Sequence, residues 1–214
     1  MVSKNTDPKP LKKPALRILG EVLSQLLNVP MLSGALVTFI FFQLPADLPN
    51  RVGGFGWTLL FICLIPLCSL LFYIPGKEKN WTKIIKRQRL ASFVLMIISY
   101  PIGFVVLRLV NAPLIFEAIA INYTMITLGL IVFNLVLRYK ASGHAAGVAG
   151  PVTAVFYFFG LIATPLAALI PLTLFARISA KGHNFWELVT GAVMSSFITV
   201  LVLFLYGFNP LSPF

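Results

Sequence analysis

The chain has 214 residues, of which 58% are hydrophobic and only 11% charged, against roughly 25% charged in an ordinary soluble domain. Its mean hydropathy is +0.92. So few charges cannot cover so much apolar surface in water. The same arithmetic excludes a disordered chain, a collagen and a disulfide scaffold. The 17 Lys+Arg against 6 Asp+Glu leave a net charge of +11. On so apolar a chain, that excess points to a bilayer as the partner and not to nucleic acid.

Residues 1–14 read as a polar tail of prolines and lysines, without the apolar core and small-residue cleavage site of a secretory signal. Residues 15–27 read as an amphipathic stretch on a membrane surface. The expected organisation is therefore a leading tail over 1–28 and one transmembrane domain over 29–214. A spanning helix takes about 20 apolar residues. Such runs fall at 30–48, 55–73, 91–110, 113–137, 145–175 and 185–208. The fifth is too long for one straight span and holds Gly160, Thr164 and Pro165 near its middle, where a helix breaks. Read as a hairpin of two short spans, it brings the total to seven; read as one long tilted helix, to six. The expected fold is an all-α polytopic membrane bundle.

Within these runs Cys63 and Cys68 read as buried small side chains. Trp57, Trp81 and Trp186 read as an interfacial belt. Gly143, Ala146, Gly147 and Gly150 read as helix-packing surface. Asn134, polar inside a span, either bonds across helices or reaches a site. With seven spans, every basic residue but Arg51 and Arg108 falls on the side of the leading tail and of the loops at 77–89, 138–144 and 177–184. The positive-inside rule makes that side cytoplasmic.

The sequence has 2 histidines, both at span ends on the basic side. His183 and Glu187 are four apart at the head of the last span and share a helix face. A carboxylate there accepts from one imidazole nitrogen, fixes the tautomer and leaves the other nitrogen free as a nucleophile. Arg177, just upstream, offers a planar fork of donors suited to phosphate oxygens, and helix-start amides near Gly182 and Asn184 add to anion binding. In the run Lys140-Ala-Ser-Gly-His144, Ser142 and Gly143 offer a hydroxyl and a closely approachable amide. His144 suits a general acid that protonates a leaving alcohol. The hairpin between the two groups returns the second to the side of the first.

A Ser-Gly-His, a hairpin, then Arg, five residues, His, three residues and an acid resembles the type 2 phosphatidic acid phosphatase superfamily. Its members are integral membrane phosphatases related to glucose-6-phosphatases and vanadium haloperoxidases. The stretch from Gly143 to Gly150 and Pro151 is similar to one divergent prokaryotic branch, and the whole match runs from Ser142 to Gly191. The resemblance implies a phosphohistidine mechanism without metal or cofactor. Arg177 would bind phosphate, His183 would attack phosphorus, and Glu187 would orient His183. His144 would protonate the leaving oxygen, while Ser142 and Gly143 would hold the phosphate. The sequence departs from the family pattern at Ala141 (usually Pro), Ala176 (usually Ser) and Glu187 (usually Asp). In place of an upstream Lys and Arg-Pro motif it has Lys86-Arg87-Gln88-Arg89, where Lys86 and Arg89 share a helix face and would add positive charge. The implied substrate is a lipid phosphate or diphosphate in the cell membrane, its tail in the bilayer and its headgroup at the loops. Two alternatives are a lipid phosphotransferase with the same site and a non-catalytic membrane protein retaining the fold.

Overall fold

A helix start in an apolar chain is stabilised by whatever polar side chain can accept from its free amides, and among the described residues Asn28, Ser142 and Asn184 each do so. The structure, a computed structural model, describes residues 28–73, 81–179 and 184–211, together with Leu23 and excepting the side chains of Trp81, Thr82, Ile85 and Lys86. The expected tail and amphipathic stretch before Asn28, the residue His183 and the Lys86 side chain lie outside the described residues.

Helix α1 is Val29–Gln43, opened by Asn28, whose Oδ1 accepts from the Met31 amide at 3.0 Å, with Pro30 in its first turn. The apolar run was expected to continue helically to Leu48. It stops at Gln43, because Pro45 and Pro49 cannot continue a helix and restrict the residues before them. Helix α2 begins at Arg51, earlier than expected. It runs through Arg51–Thr58, a π-helical stretch Leu59–Leu64, Ile65–Leu67 and a 3-10 end Cys68–Tyr73. Arg51 explains the early start: its Nη2 donates to the Phe41 carbonyl at 2.7 Å, and its guanidinium stacks 4.2 Å over the Phe41 ring. Cys63 is buried as expected, but Cys68 is exposed, since the tightened 3-10 end turns it away from the bundle.

Helix α3 is Trp81–Leu109, with Pro101 inside it. Helix α4 is Leu114–Ile131, prolonged by a π turn over Val132–Val136. Helix α5 is Gly143–Phe159. Gly160, at φ +60°, then breaks the chain into Gly160–Ala163 and Thr164–Ala167. Helix α6 is Leu169–Ser179, and α7 is Phe185–Leu205. No strand occurs among the described residues.

Five stretches are long and apolar enough to cross a membrane: Arg51–Phe72, Arg87–Leu109, Leu114–Val136, Gly143–Ala167 (which passes through the Gly160 break) and Phe185–Leu205. At 1.5 Å per residue the four other than Gly143–Ala167 each exceed a ~30 Å hydrocarbon layer as continuous helices. Helices α1 and α6, of 15 and 11 residues, are shorter. Leu109, Leu161, Ile162 and Leu205 stand outward on the bundle, Ile162 at 86% exposed. Such a girdle would drive aggregation in water and is the natural surface of a protein in lipid.

Contacts at helix ends show that successive helices alternate in direction. Val29 meets Gly147 and Phe39 meets Phe159, so α1 and α5 run parallel. Asn50 donates to the Val110 carbonyl at 2.6 Å, and Arg108 pairs with Glu117 at 3.7 Å; these mark one end of the bundle. Arg87 donates to the Phe72 carbonyl at 3.0 Å, and the Ser142 amide donates to the Glu187 carbonyl at 2.9 Å; these mark the other. Helix α6 packs back on α5, so the fifth run is a hairpin and not a single tilted helix.

Small residues hold the centre, as expected for helices that associate in lipid by close packing. Gly150 lies against Ser195 and Thr199, and Gly147 against Val29. Polar side chains stitch the same seam: Ser195 Oγ donates to the Ala146 carbonyl at 2.7 Å, Thr153 bonds Ser196 at 2.8 Å, and Asn122 Nδ2 donates to Thr199 Oγ1 at 3.1 Å.

Candidate active site

The end of the bundle defined by the Ser142–Glu187 contact carries most of the residues singled out in the sequence. Ser142 is the N-cap of α5, fully buried, and its Oγ accepts from the Ala145 amide at 3.4 Å. The hydroxyl expected to hold phosphate therefore already serves a helix start. Gly143 and His144 are the first two helical residues and are half-buried. A Cβ at Gly143 would meet only Leu130 Cδ1, at an ordinary 3.6 Å, so packing does not demand glycine there. Gly191 behaves in the opposite way. A Cβ on it would overlap the Ser142 carbonyl oxygen and stand 3.1 Å from the Ser142 nitrogen. This close approach lets the heads of α5 and α7 lie side by side, and no sequence signal set Gly191 apart from other intramembrane glycines.

Glu187 sits at the third position of α7 in a capping box with Asn184. The Glu187 amide donates to Asn184 Oδ1 at 2.9 Å, and the Asn184 amide donates to Glu187 Oε2 at 3.3 Å. Lys140 Nζ lies 3.8 Å from the same Oε2. The carboxylate that was expected to orient His183 thus has a helix-capping role and a cation beside it. The Asn-x-x-Glu spacing was a readable signal for the box, whereas Lys140 was grouped only with the topology charges.

Arg177 lies in the last turn of α6, where a cation complements the helix dipole, and it is only 5% exposed. Burial, and next the charge of Arg89, hold its pKa below the ordinary arginine range. Arg89, exposed on α3, thus acts electrostatically on Arg177 from a distant part of the sequence. Its neighbours have other tasks: Arg87 caps the end of α2 at Phe72, and Gln88 donates to Ser69 at 3.4 Å. Like charges that act on each other cost energy, and an anion within reach of both offsets that cost.

Asn134 does not reach this site. Its Nδ2 donates to the carbonyls of Leu130 at 2.8 Å and Ala141 at 3.3 Å, tying the end of α4 to the loop that leads into α5. Thr190 donates to the Tyr139 hydroxyl at 3.4 Å from the side of α7, so the 138–142 loop is fastened on both flanks. Among the described residues no three His, Cys, Asp or Glu side chains gather as a metal-ligand group.

No family model matches the chain, and neither a curated protein nor a solved structure matches it.

Proposed function

We propose that this chain is a membrane phosphatase of the type 2 phosphatidic acid phosphatase kind, hydrolysing a phosphomonoester or diphosphate of a lipid through a phosphohistidine. The observation that carries the reading is the meeting of Ser142 and Glu187 at the heads of α5 and α7, with Arg177 buried in the last turn of α6 under the charge of Arg89. In this reading a His183 ring nitrogen attacks phosphorus, and the bond from phosphorus to the lipid oxygen breaks. That oxygen leaves as the alcohol, taking a proton from His144. Water then attacks the phosphohistidine, gives a proton back to His144, and releases phosphate and neutral His183. The migrating phosphoryl group asks mainly for position and positive charge, which Arg177, Arg89 and Lys86 supply, with the amides at the head of α5 adding the favourable end of a helix dipole.

The test is phosphate release by the purified chain from a panel of phosphatidate, phosphatidylglycerol phosphate and polyprenyl diphosphate in vesicles. Release from at least one, blocked by vanadate as a mimic of five-coordinate phosphorus, is the expected result. Transfer of the phosphoryl group to an added alcohol at the expense of free phosphate would identify the phosphotransferase alternative. One observation favours the non-catalytic alternative, namely that the Glu187 carboxylate already serves the Asn184 cap and Lys140; no release from any member of the panel would establish it.

The reading also places the chain in the cell membrane with its basic end toward the cytoplasm. Arg89, Lys140 and Arg177 lie toward that end, and Arg51 and Arg108 at the opposite one. A cysteine introduced at Ser179 is therefore expected to resist a membrane-impermeant thiol reagent in intact cells and to react after permeabilisation. Labelling in intact cells would reverse the orientation.

A further inference from the structure

Helices α1 and α6 flank α5 and leave between them a cleft of about 280 Å³ whose wall is almost entirely hydrocarbon. On α5 the wall is Val148, Pro151, Val152 and Val155; Ala35 faces it from α1 and Leu169 from α6. Counted from His144, those four α5 positions are i+4, i+7, i+8 and i+11, so they continue the helix face that carries His144. The cleft starts one turn below the head of α5, at Val148, and extends along it to Val155. Helix α6 supports the same direction. Leu169, at its start, lines the cleft, and Arg177, in its last turn, lies at the site end.

We propose that this cleft holds one hydrocarbon chain of the lipid whose phosphate sits at His144 and Arg177. The inference rests on the phosphatase reading and adds to it the place where the substrate is measured. Three features select this occupant. The wall offers almost nothing but alkyl groups, so a headgroup or a polar peptide would lose its hydrogen bonds there. The volume falls just short of the roughly 300 Å³ at which small-ligand pockets begin, room for part of one chain and not for two. The cleft runs on from the site along one helix face, so a molecule polar at one end and apolar along its length fits both at once.

Ala35 is exposed on α1, so a large side chain there fills the cleft without displacing core residues. The experiment compares the wild-type chain with Ala35→Trp and the milder Ala35→Leu in phosphatidylcholine vesicles. The substrates are a long-chain phosphatidate and a water-soluble short-chain phosphatidate. Ala35→Trp is expected to raise KM for the long-chain substrate about tenfold, the loss of roughly two buried methylenes. It should leave kcat and the short-chain kinetics unchanged, with Ala35→Leu between. A long-chain KM unaltered by Ala35→Trp would overturn the proposal, and so would an equal effect on both substrates. A dimer of the wild type that Ala35→Trp dissociates would assign the cleft to a second copy of the chain and overturn it as well. A phosphatidate carrying a photoreactive group at its chain end separates this inference from the function it rests on. Labelling of the 148–155 segment, lost in Ala35→Trp, supports the cleft. Label spread evenly over the outward faces overturns it. Absence of phosphate release from the wild type, whatever the label shows, counts against the phosphatase reading instead.

Discussion

His183→Ala is expected to reduce phosphate release from a lipid phosphate by at least about 10³-fold, as for removal of a covalent nucleophile, while membrane insertion and thermal stability stay at wild-type values. No other residue in the sequence can stand in for it, since His144 is the only other imidazole and its proposed task is on the leaving-group side. His144→Ala is expected to cost about 10²–10⁴-fold, the usual worth of a general acid, and with a telling dependence on substrate. A lipid alcohol is a poor leaving group and needs its proton, whereas a nitrophenolate leaves without one. The His144→Ala deficit should therefore shrink sharply on nitrophenyl phosphate, and the His183→Ala deficit should not. Wild-type turnover in purified His183→Ala would remove it from the nucleophile role. Equal deficits of His144→Ala on both substrates would remove His144 from the acid role.

Gly191→Ala is expected to destabilise the protein by about 1–3 kcal/mol, the range for overpacking a tight contact, and to lower activity along with it. The added methyl would overlap the Ser142 carbonyl oxygen, and backbone has no rotamer with which to move aside. The heads of α5 and α7 must part, stretching the 2.9 Å bond from the Ser142 amide to the Glu187 carbonyl. Gly143→Ala, at the neighbouring helix head, is the matched control. Its methyl meets Leu130 at an ordinary 3.6 Å, so the melting temperature should not change, and any loss of turnover would report on the approach of substrate to the Gly143 amide. Equal melting temperatures for the two variants would contradict the packing of α5 against α7.

The helices were legible because hydropathy reports which segments lie in lipid, and the break at Gly160 was legible because glycine and proline interrupt that pattern. The same averaging misled where prolines interrupt an apolar stretch: residues 44–48 are apolar enough to extend the first run, yet Pro45 and Pro49 end the helix at Gln43. Hydropathy also carries no record of which helix neighbours which. The electrostatic effect of Arg89 on Arg177 and the contact of Gly191 with Ser142 join residues far apart in sequence, and a glycine that admits a neighbour's backbone looks like any other. The π turns at Leu59–Leu64 and Val132–Val136 have no signature in residue type. Of the site, the capping box was readable from the local Asn-x-x-Glu spacing. Asn134 was recognised as polar, but its partners, the Leu130 and Ala141 carbonyls, belong to backbone that no residue pattern marks.

The hairpin of α5 and α6 bears on how the chain is threaded. Helix α5, of 17 residues, rises about 25 Å, and α6, of 11 residues, about 16 Å, both less than a ~30 Å hydrocarbon layer. The turn between them holds no charged residue, and Leu161 and Ile162 at its tip are 86% exposed. Such a tip comes to rest among acyl chains as readily as at the far interface, so the membrane need pass no charge to admit it. Counted as two crossings or as none, the hairpin contributes an even number. The parity of the topology is therefore the same in either case, and the start of α5 and the end of α6 keep their relation to each other however deep the tip settles.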